Sequence, residues 1–336
     1  MSTPVASTDP AASGSTTSAA PALEGRVVVL AGGLSHERDV SLRSGRRVAE
    51  ALRDAGLAVE VADVDASLLA ALEADPPACV VPLLHGETGE DGAVREVLEL
   101  LDLPYVGSRP RDCRRAFDKG SAKDVVERAG VATPASVSLP AQTFRELGAP
   151  RLMAALVARL GLPLVVKPLR GGSALGCTVV HEEHQLPSAM VGAYAYGDTA
   201  LVERFVAGAE VTVAVVGADD PRPLPVVGIV PDGGSYDYTA RYTAGSTEFR
   251  VPASLDADIA ARCQEVAMTA HRALGLRDMS RSDLIVSPDG EVWFLEVNVA
   301  PGLTETSTVP LAIEADGQQL GQLMAGLIAA AVARTD

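Results

Sequence analysis

The stretch "RSDLIVSPDGEVWFLEVNVAPGLTETS", residues 281–307, decides the reading of this chain. Two apolar runs, RSDLIV and EVWFLEVN, flank SPDG, whose Pro, Asp and Gly are turn formers, so the segment reads as a β-hairpin. Each run carries acidic or amide side chains where a core strand should have none. In a strand, residues two apart point to the same side, so Glu296 and Asn298 converge. Pairing the runs about the turn brings Asp283 near Glu296. Three hard oxygen donors then face one locus, as magnesium bound between a protein and nucleotide phosphates requires. The alternative is a polar cluster satisfied by local loops. Buried carboxylates without partners are costly, and a cation answers them better. The chain then breaks at Pro301–Gly302.

A second segment bears on the same chemistry. "KPLRGGSALG", 167–176, places a lysine at the end of an apolar strand and follows it with three glycines, a serine and an arginine. Glycines let backbone N–H groups approach an anion, and Lys167 adds a point charge suited to phosphate. An ordinary glycine hairpin with a surface lysine fits the segment equally well. The familiar nucleotide motifs are absent. There is no G-x-x-x-x-G-K-[ST], and "LAGGLSHERD" is not G-x-G-x-x-G, which argues against a P-loop or a dinucleotide-binding enzyme. "HEEHQ", 181–185, is not H-E-x-x-H and reads as a solvated turn.

Composition sets the bounds. The 336 residues suffice for two or three domains, and 47% are hydrophobic. A formal net charge of −16, from 28 basic and 44 acidic residues, argues against nucleic acid or an anionic membrane as partner. Four scattered cysteines fit free thiols in a reducing cytosol. Residues 1–24, rich in Ala, Ser, Thr and Pro, read as a disordered tail with no signal-peptide pattern. "LMAGLIAAAVA" near the C-terminus is too short to span a bilayer and suits a core-packing helix. A soluble, cytoplasmic protein is expected.

"RVVVLAGG", "AVEVAD" and "CVVPLL" read as buried strands alternating with helices, one of them from Ser41 onward, which predicts an open parallel α/β domain over 25–107. Beyond it, a helix around 114–129 leads into strand-rich sequence with intervening helices, predicting a central α+β domain over 108–202 and a C-terminal α+β domain over 203–336.

Five segments, "GGLSHERDVSLRSG", "LLHGETGEDG", "KPLRGGSALG", "YDYTARY" and "RSDLIV…FLEVNVAPGLTETS", resemble in order and spacing the signatures of the ATP-grasp ligases, and within them the D-alanine–D-alanine ligases. The resemblance covers nearly the whole chain after the tail. It implies ATP held between two antiparallel sheets, with Lys119 and Lys167 on the phosphates and Glu203, Phe205, Val206 and Glu210 on the adenine and ribose side. Asp283, Glu296 and Asn298 would hold two magnesium ions, or manganese in their place. A lid over 231–250 would cover the site, with Arg241 near phosphate and the second carboxylate. Glu37 would anchor the ammonium of the first D-alanine in a set that includes Ser173 and Tyr242. Arg281 and the Gly302 amide would stabilise the oxyanion, Ser307 would take the carboxylate of the second D-alanine, and His85 would lie nearby. A homodimer is also implied. The chain departs from the family pattern at Gly171, Ala174 and Arg241. Two alternatives follow: a paralogue joining another D-amino or D-hydroxy acid, and a nucleotide sensor without ligase activity.

Overall fold

The computed structural model describes residues 23–231 and 247–334. Its first sheet is parallel, in the order β2-β1-β3, from β1 (Val27–Leu30), β2 (Val59–Ala62) and β3 (Cys79–Pro82). All four residues of β1 are buried, as a central parallel strand covered on both faces requires. The helix after β1 begins at Arg38, three residues before the expected start, and runs to Asp54. Asp39 in its first turn suits the positive end of the helix dipole. Gly45 lets this helix lie against the first sheet, since a Cβ there would sit 2.3 Å from the Cβ of Ala31.

The C-terminal apolar run forms the Leu320–Ala333 helix and packs against this N-terminal unit as well as against its sequence neighbours Val309, Ala312 and Ile313. Met324, Leu327 and Ile328 share one core with Val27, Val29, Val48 and Leu52. Leu23 packs on the same core, so chain expected to be tail contributes to it at that residue; residues 1–22 lie outside the described ones.

The helix expected around 114–129 is two helices, Pro110–Phe117 and Lys119–Arg128. Asp118 breaks them: its backbone is extended, and its carboxylate accepts the Ser121 amide at 2.9 Å as an N-cap. Lys119 therefore opens a helix.

Two antiparallel sheets follow. One has the order β4-β7-β5-β6, from β4 (Ser136–Pro140), β5 (Leu164–Pro168), β6 (Thr178–Val180) and β7 (Thr199–Arg204). The other joins β8 (Ala209–Gly217), β9 (Arg222–Pro223), β10 (Val227–Pro231), β11 (Thr247–Arg250), β12 (Asp278–Val286) and β13 (Val292–Asn298). Its order is β11-β10-β8-β12-β13, with β9 on β8. One face of this sheet, including Val211, Val213 and Leu284, packs on the Ala257–Leu274 helix. The other face bears the polar residues of the opening hairpin.

That hairpin has the predicted pairing. Asp283 is opposite Glu296 and Arg281 is opposite Asn298. An irregularity between Asp283 and Leu284 then shifts the register so that Leu284 faces Phe294. Strict alternation would put Phe294 on the face of Glu296. The shift instead buries Phe294 completely in the core and leaves Leu295 on a cavity wall.

Candidate active site

Between the two antiparallel sheets lies a cavity of about 530 Å³. Val165, Val179, Ile285 and Leu295 give it apolar walls, while Lys119, Lys167, Glu203, Glu210, Asp283 and Glu296 bring charge to it. Phe205 and Val206, in the segment joining β7 to β8, also line it. An apolar slot with lysines on its lining suits a flat, phosphorylated ligand.

The cations are held by buried ion pairs. Lys167 Nζ lies 2.6 Å from one oxygen of Glu203, and Lys123 Nζ lies 2.5 Å from the other. Burial opposes every charge here, yet Glu203 and Glu296 hold the Lys167 pKa above the usual lysine value. Glu203 stays ionised against its own burial because Lys167 and Lys123 flank it. Burial lowers the Lys123 pKa, with Glu203 pulling the other way. Glu203, expected toward adenine and ribose, thus has both carboxylate oxygens on lysines.

Asp283 and Glu296 are each met by a cation. The Arg281 guanidinium donates to both oxygens of Asp283, from Nε at 2.7 Å and a terminal nitrogen at 2.8 Å. Lys119 Nζ lies 3.1 Å from Glu296 and donates to the Gly171 carbonyl at 2.6 Å. The Asn298 carbonyl oxygen accepts the Ala300 amide at 2.7 Å and keeps a second lone pair. Among the described residues no three His, Cys, Asp or Glu side chains cluster to hold an ion unaided. Two carboxylates and an amide oxygen fit magnesium when phosphate oxygens and water complete its six ligands.

Asp283 also lines a second, smaller cavity, of about 90 Å³, together with Glu37, His85, Glu90, Ser173, Arg281, Asn298, Gly302 and Ser307. Loops after β1 and β3 supply Glu37 and His85, the short helix Glu87–Glu90 supplies Glu90, and Ser35 ties the two loops by donating to the His85 carbonyl at 2.7 Å. The Ser173 hydroxyl donates to Glu37. Ser173 and Ala174 both have φ of 55°, a left-handed conformation that is costly outside glycine. Strain kept in a loop that presents a hydroxyl to a carboxylate marks a functional segment.

Glu90 is almost fully buried and accepts the Gly86 amide at 3.0 Å. Burial, and then the charge of Glu37, push its pKa up to about 8. His85 is also buried, which brings its pKa down to about 4. Its Nδ1 is 2.9 Å from the Ala300 carbonyl, an acceptor only, so Nδ1 carries the proton. Nε2 then accepts the Ser44 hydroxyl at 3.2 Å, and Ser44 in turn accepts the Leu303 amide at 3.1 Å. Both ring nitrogens are engaged in holding the 300–303 loop. Ser307 lies next to that loop, since a Cβ on Gly302 would sit 2.8 Å from its Oγ.

Fifteen of the expected site residues therefore line the two cavities, while Arg241 and Tyr242 lie outside the described residues. Sequence reasoning missed Lys123, Glu90, Ser44, Arg43 and Thr308. Lys123 had a signal, standing one helical turn after Lys119 and so on the same face. Glu90 stood within "HGETGEDG", but its burial is a property of the fold.

Comparison with known proteins bears on the whole chain. Residues 125–329 match a family model described as the D-ala D-ala ligase C-terminus. A D-alanine–D-alanine ligase from Desulforudis audaxviator is 41% identical over 306 residues, which cover 90% of this chain and 97% of that protein. One from Syntrophotalea carbinolica is 39% identical, covering 92% and 97%. Among solved structures, the VanG D-Ala:D-Ser ligase from Enterococcus faecalis matches with a TM-score of 0.78 and 30% identity, covering 91% of this chain and 99% of that one. The D-alanine–D-alanine ligase from Coxiella burnetii also has a TM-score of 0.78, and at 24% identity it speaks to fold alone, covering 93% and 94%. With the sheet sandwich, the buried lysines and the paired carboxylates in place, the chain belongs to the D-alanine–D-alanine ligase family of the ATP-grasp fold.

Proposed function

We propose that this chain joins two D-alanines into D-alanyl-D-alanine with ATP, forming ADP and phosphate, in the cytoplasmic supply of peptidoglycan precursor. One observation carries the reading. Asp283 lines both cavities, so the end of the phosphate-suited slot meets the small pocket where Glu37, Gly302 and Ser307 converge.

A free carboxylate is a poor acyl donor, because its leaving group would be oxide. Transfer of the ATP γ-phosphoryl to the first D-alanine gives an acyl phosphate. Attack by the second amine forms a tetrahedral centre that expels phosphate. Lys119 and Lys167 face the phosphates. Glu37, held by Ser173, takes the first ammonium. Arg281 and the Gly302 amide stand where negative charge gathers on the carbonyl oxygen, and preorganised donors of this kind lower the barrier most. Ser307 takes the second carboxylate. Asp283, Glu296 and Asn298 would hold magnesium, which when bound would supply charge neutralisation during transfer. Glu203 holds the two lysines in place, and His85 acts through the 300–303 loop. The family resemblance also supports a homodimer.

The test is ADP release by the purified chain with ATP and magnesium across D- and L-amino acids and D-hydroxy acids, with the product identified by mass. D-alanine-dependent ADP release with the dipeptide as main product is expected. ATP binding without substrate-dependent release would favour a sensor. No helix among the described residues is long and apolar enough to cross a membrane.

A further inference from the structure

Besides the contacts of His85 and Ser44 with the 300–303 loop, the N-terminal unit meets the sheet carrying Arg281 and Asp283 at the start of β12. That point is about 10 Å from Arg281 at the usual rise of a strand. β13 pairs with β12 only as far as Arg281, so residues 278–280 have β8 as their one strand neighbour among the described residues. The segment 105–108, which leads out of the N-terminal unit, docks there.

Asp278, the first residue of β12, makes the joint. It is completely buried and has φ of 66°, a left-handed conformation that is costly outside glycine. Both of its carboxylate oxygens are engaged. One accepts the Gly107 amide at 2.6 Å, and the other pairs with the Arg334 guanidinium, which stands at the C-terminal end of the Leu320–Ala333 helix. Arg277 adds to the joint. Its Nε donates to the Gly107 carbonyl at 2.6 Å, its amide donates to Ser108 Oγ at 3.2 Å, and its guanidinium lies 5.0 Å from the centre of the Tyr105 ring. The Val106 amide donates to the Val80 carbonyl at 3.0 Å, so the segment is fastened to β3, the strand that leads to His85. Glycine would adopt φ of 66° freely, and a buried carboxylate is unfavourable unless paired. Asp278 carries both costs where three separate segments of the chain meet.

The two cavities respond differently to this joint. Every residue lining the larger one comes from Lys119 onward, whereas the smaller one is shared between Glu37 and His85 of the N-terminal unit and Arg281 and Asp283 of β12. A shift of the N-terminal unit on β12 therefore moves Glu37 relative to Arg281 and leaves the lining of the larger cavity in place.

We propose that Asp278 is a positioning residue for the ligation: holding the Gly107 amide and Arg334, it seats the N-terminal unit on β12 and so sets Glu37 against Arg281. Asp278 and Arg334 line neither cavity, and they act through the residues that do. The inference rests on the ligase reading, in which Glu37 takes the first ammonium and Arg281 faces the reacting carbonyl.

The experiment measures ADP release by the wild-type chain, Asp278→Gly, Asp278→Asn and Arg334→Ala, at varied D-alanine and at varied ATP with magnesium, with melting temperature alongside. Asp278→Gly removes the joint and relieves the backbone together. Its kcat/KM for D-alanine is expected to fall about tenfold or more, because small misplacements of reacting groups cost that much. Its KM for ATP should stay within about twofold, since sites without shared partners act nearly independently. Asp278→Asn keeps an acceptor for the Gly107 amide and tolerates the left-handed backbone, so it should come within about threefold of wild type. Arg334→Ala should show the same split between D-alanine and ATP, and it carries the test if Asp278→Gly does not fold. A lower melting temperature with wild-type kcat/KM for D-alanine would make the joint structural alone and overturn the proposal. Equal losses toward D-alanine and ATP would also overturn it, since they mark general loosening. Both results leave the ligase reading intact. Absence of D-alanine-dependent ADP release in wild type would overturn the ligase reading, and this inference with it.

Discussion

His85 Nδ1 donates to the Ala300 carbonyl at 2.9 Å, joining the end of the parallel sheet to the loop that carries Gly302. The same ring accepts from Ser44, and Ser44 accepts the Leu303 amide, so both sides of Gly302 are tied to the N-terminal unit. A donor aimed at developing charge works only if it does not have to reorganise. This histidine therefore acts by holding the loop, and its low pKa keeps it neutral for that role.

Ser44 lines neither cavity, which makes it a clean probe of that loop. Ser44→Ala leaves the buried Leu303 amide and His85 Nε2 without a partner. A loss of about 1–3 kcal/mol in stability is expected, because unsatisfied buried groups cost that much. Turnover should fall while the Michaelis constant for ATP, whose lysines are elsewhere, stays within about twofold, since sites without shared partners act nearly independently. Wild-type turnover in Ser44→Ala would separate the His85 chain from the chemistry.

Two buried groups give stability opposite dependences on pH. His85 has a folded pKa of about 4 against an ordinary 6.5, so the unfolded chain binds more protons between those values. Stability therefore falls as pH drops through that window. Glu90 has a folded pKa of about 8 against an ordinary 4.5, so the folded chain binds more protons there, and its contribution falls as pH rises from 4.5 to 8. Glu90→Gln mimics the protonated acid. Its melting temperature relative to wild type should climb by several degrees between pH 5 and pH 8, a shift of the size that ~1–2 kcal/mol produces. A constant difference across that range would mean that Glu90 is ionised throughout.

Much of this was legible in the hairpin alone. Period-two geometry was enough to put Glu296 and Asn298 on one face, and the SPDG turn was enough to set Asp283 against Glu296. The register shift beside Asp283 was not legible, because Phe294 satisfies either face as a hydrophobe and only packing on the Ala257–Leu274 helix selects one. The helix break at Asp118 had a local signal in its capping side chain. The raised pKa of Glu90 had none, since it depends on what the fold removes from water. The C-terminal helix was legible as a core-packing helix from its apolar run, but its docking on the N-terminal unit depends on the close approach of Gly321 to the Ala51 carbonyl, which a Cβ would meet at 2.2 Å.

Glu296→Gln keeps the shape of the side chain and removes the charge facing Lys119. With the carboxylate neutral, the proposed magnesium site would lose one of its two anionic protein ligands. Turnover is expected to fall ~10²-fold or more, the size typical of groups that stabilise developing charge. Raising magnesium should recover part of that loss, which distinguishes weakened metal binding from misfolding. Wild-type ADP release by a folded Glu296→Gln protein would remove Glu296 from the metal site.

Ser173 combines two properties that a pair of substitutions can separate. Its hydroxyl holds Glu37, and its backbone has the left-handed φ of 55°. Ser173→Ala removes the hydroxyl and keeps the backbone cost; Ser173→Gly removes both. The glycine variant should therefore be more stable than the alanine variant by about 1 kcal/mol, the usual cost of a left-handed non-glycine residue. Both should raise the Michaelis constant for the first D-alanine, by up to about tenfold, because Glu37 loses the bond that orients it. If Ser173→Gly bound D-alanine as well as wild type, the strain at 173 would have no link to substrate binding. If the alanine and glycine variants melted together, residue 173 would not be strained in solution, and the conformation of the glycine-rich loop would be set by its neighbours Gly171, Gly172 and Gly176.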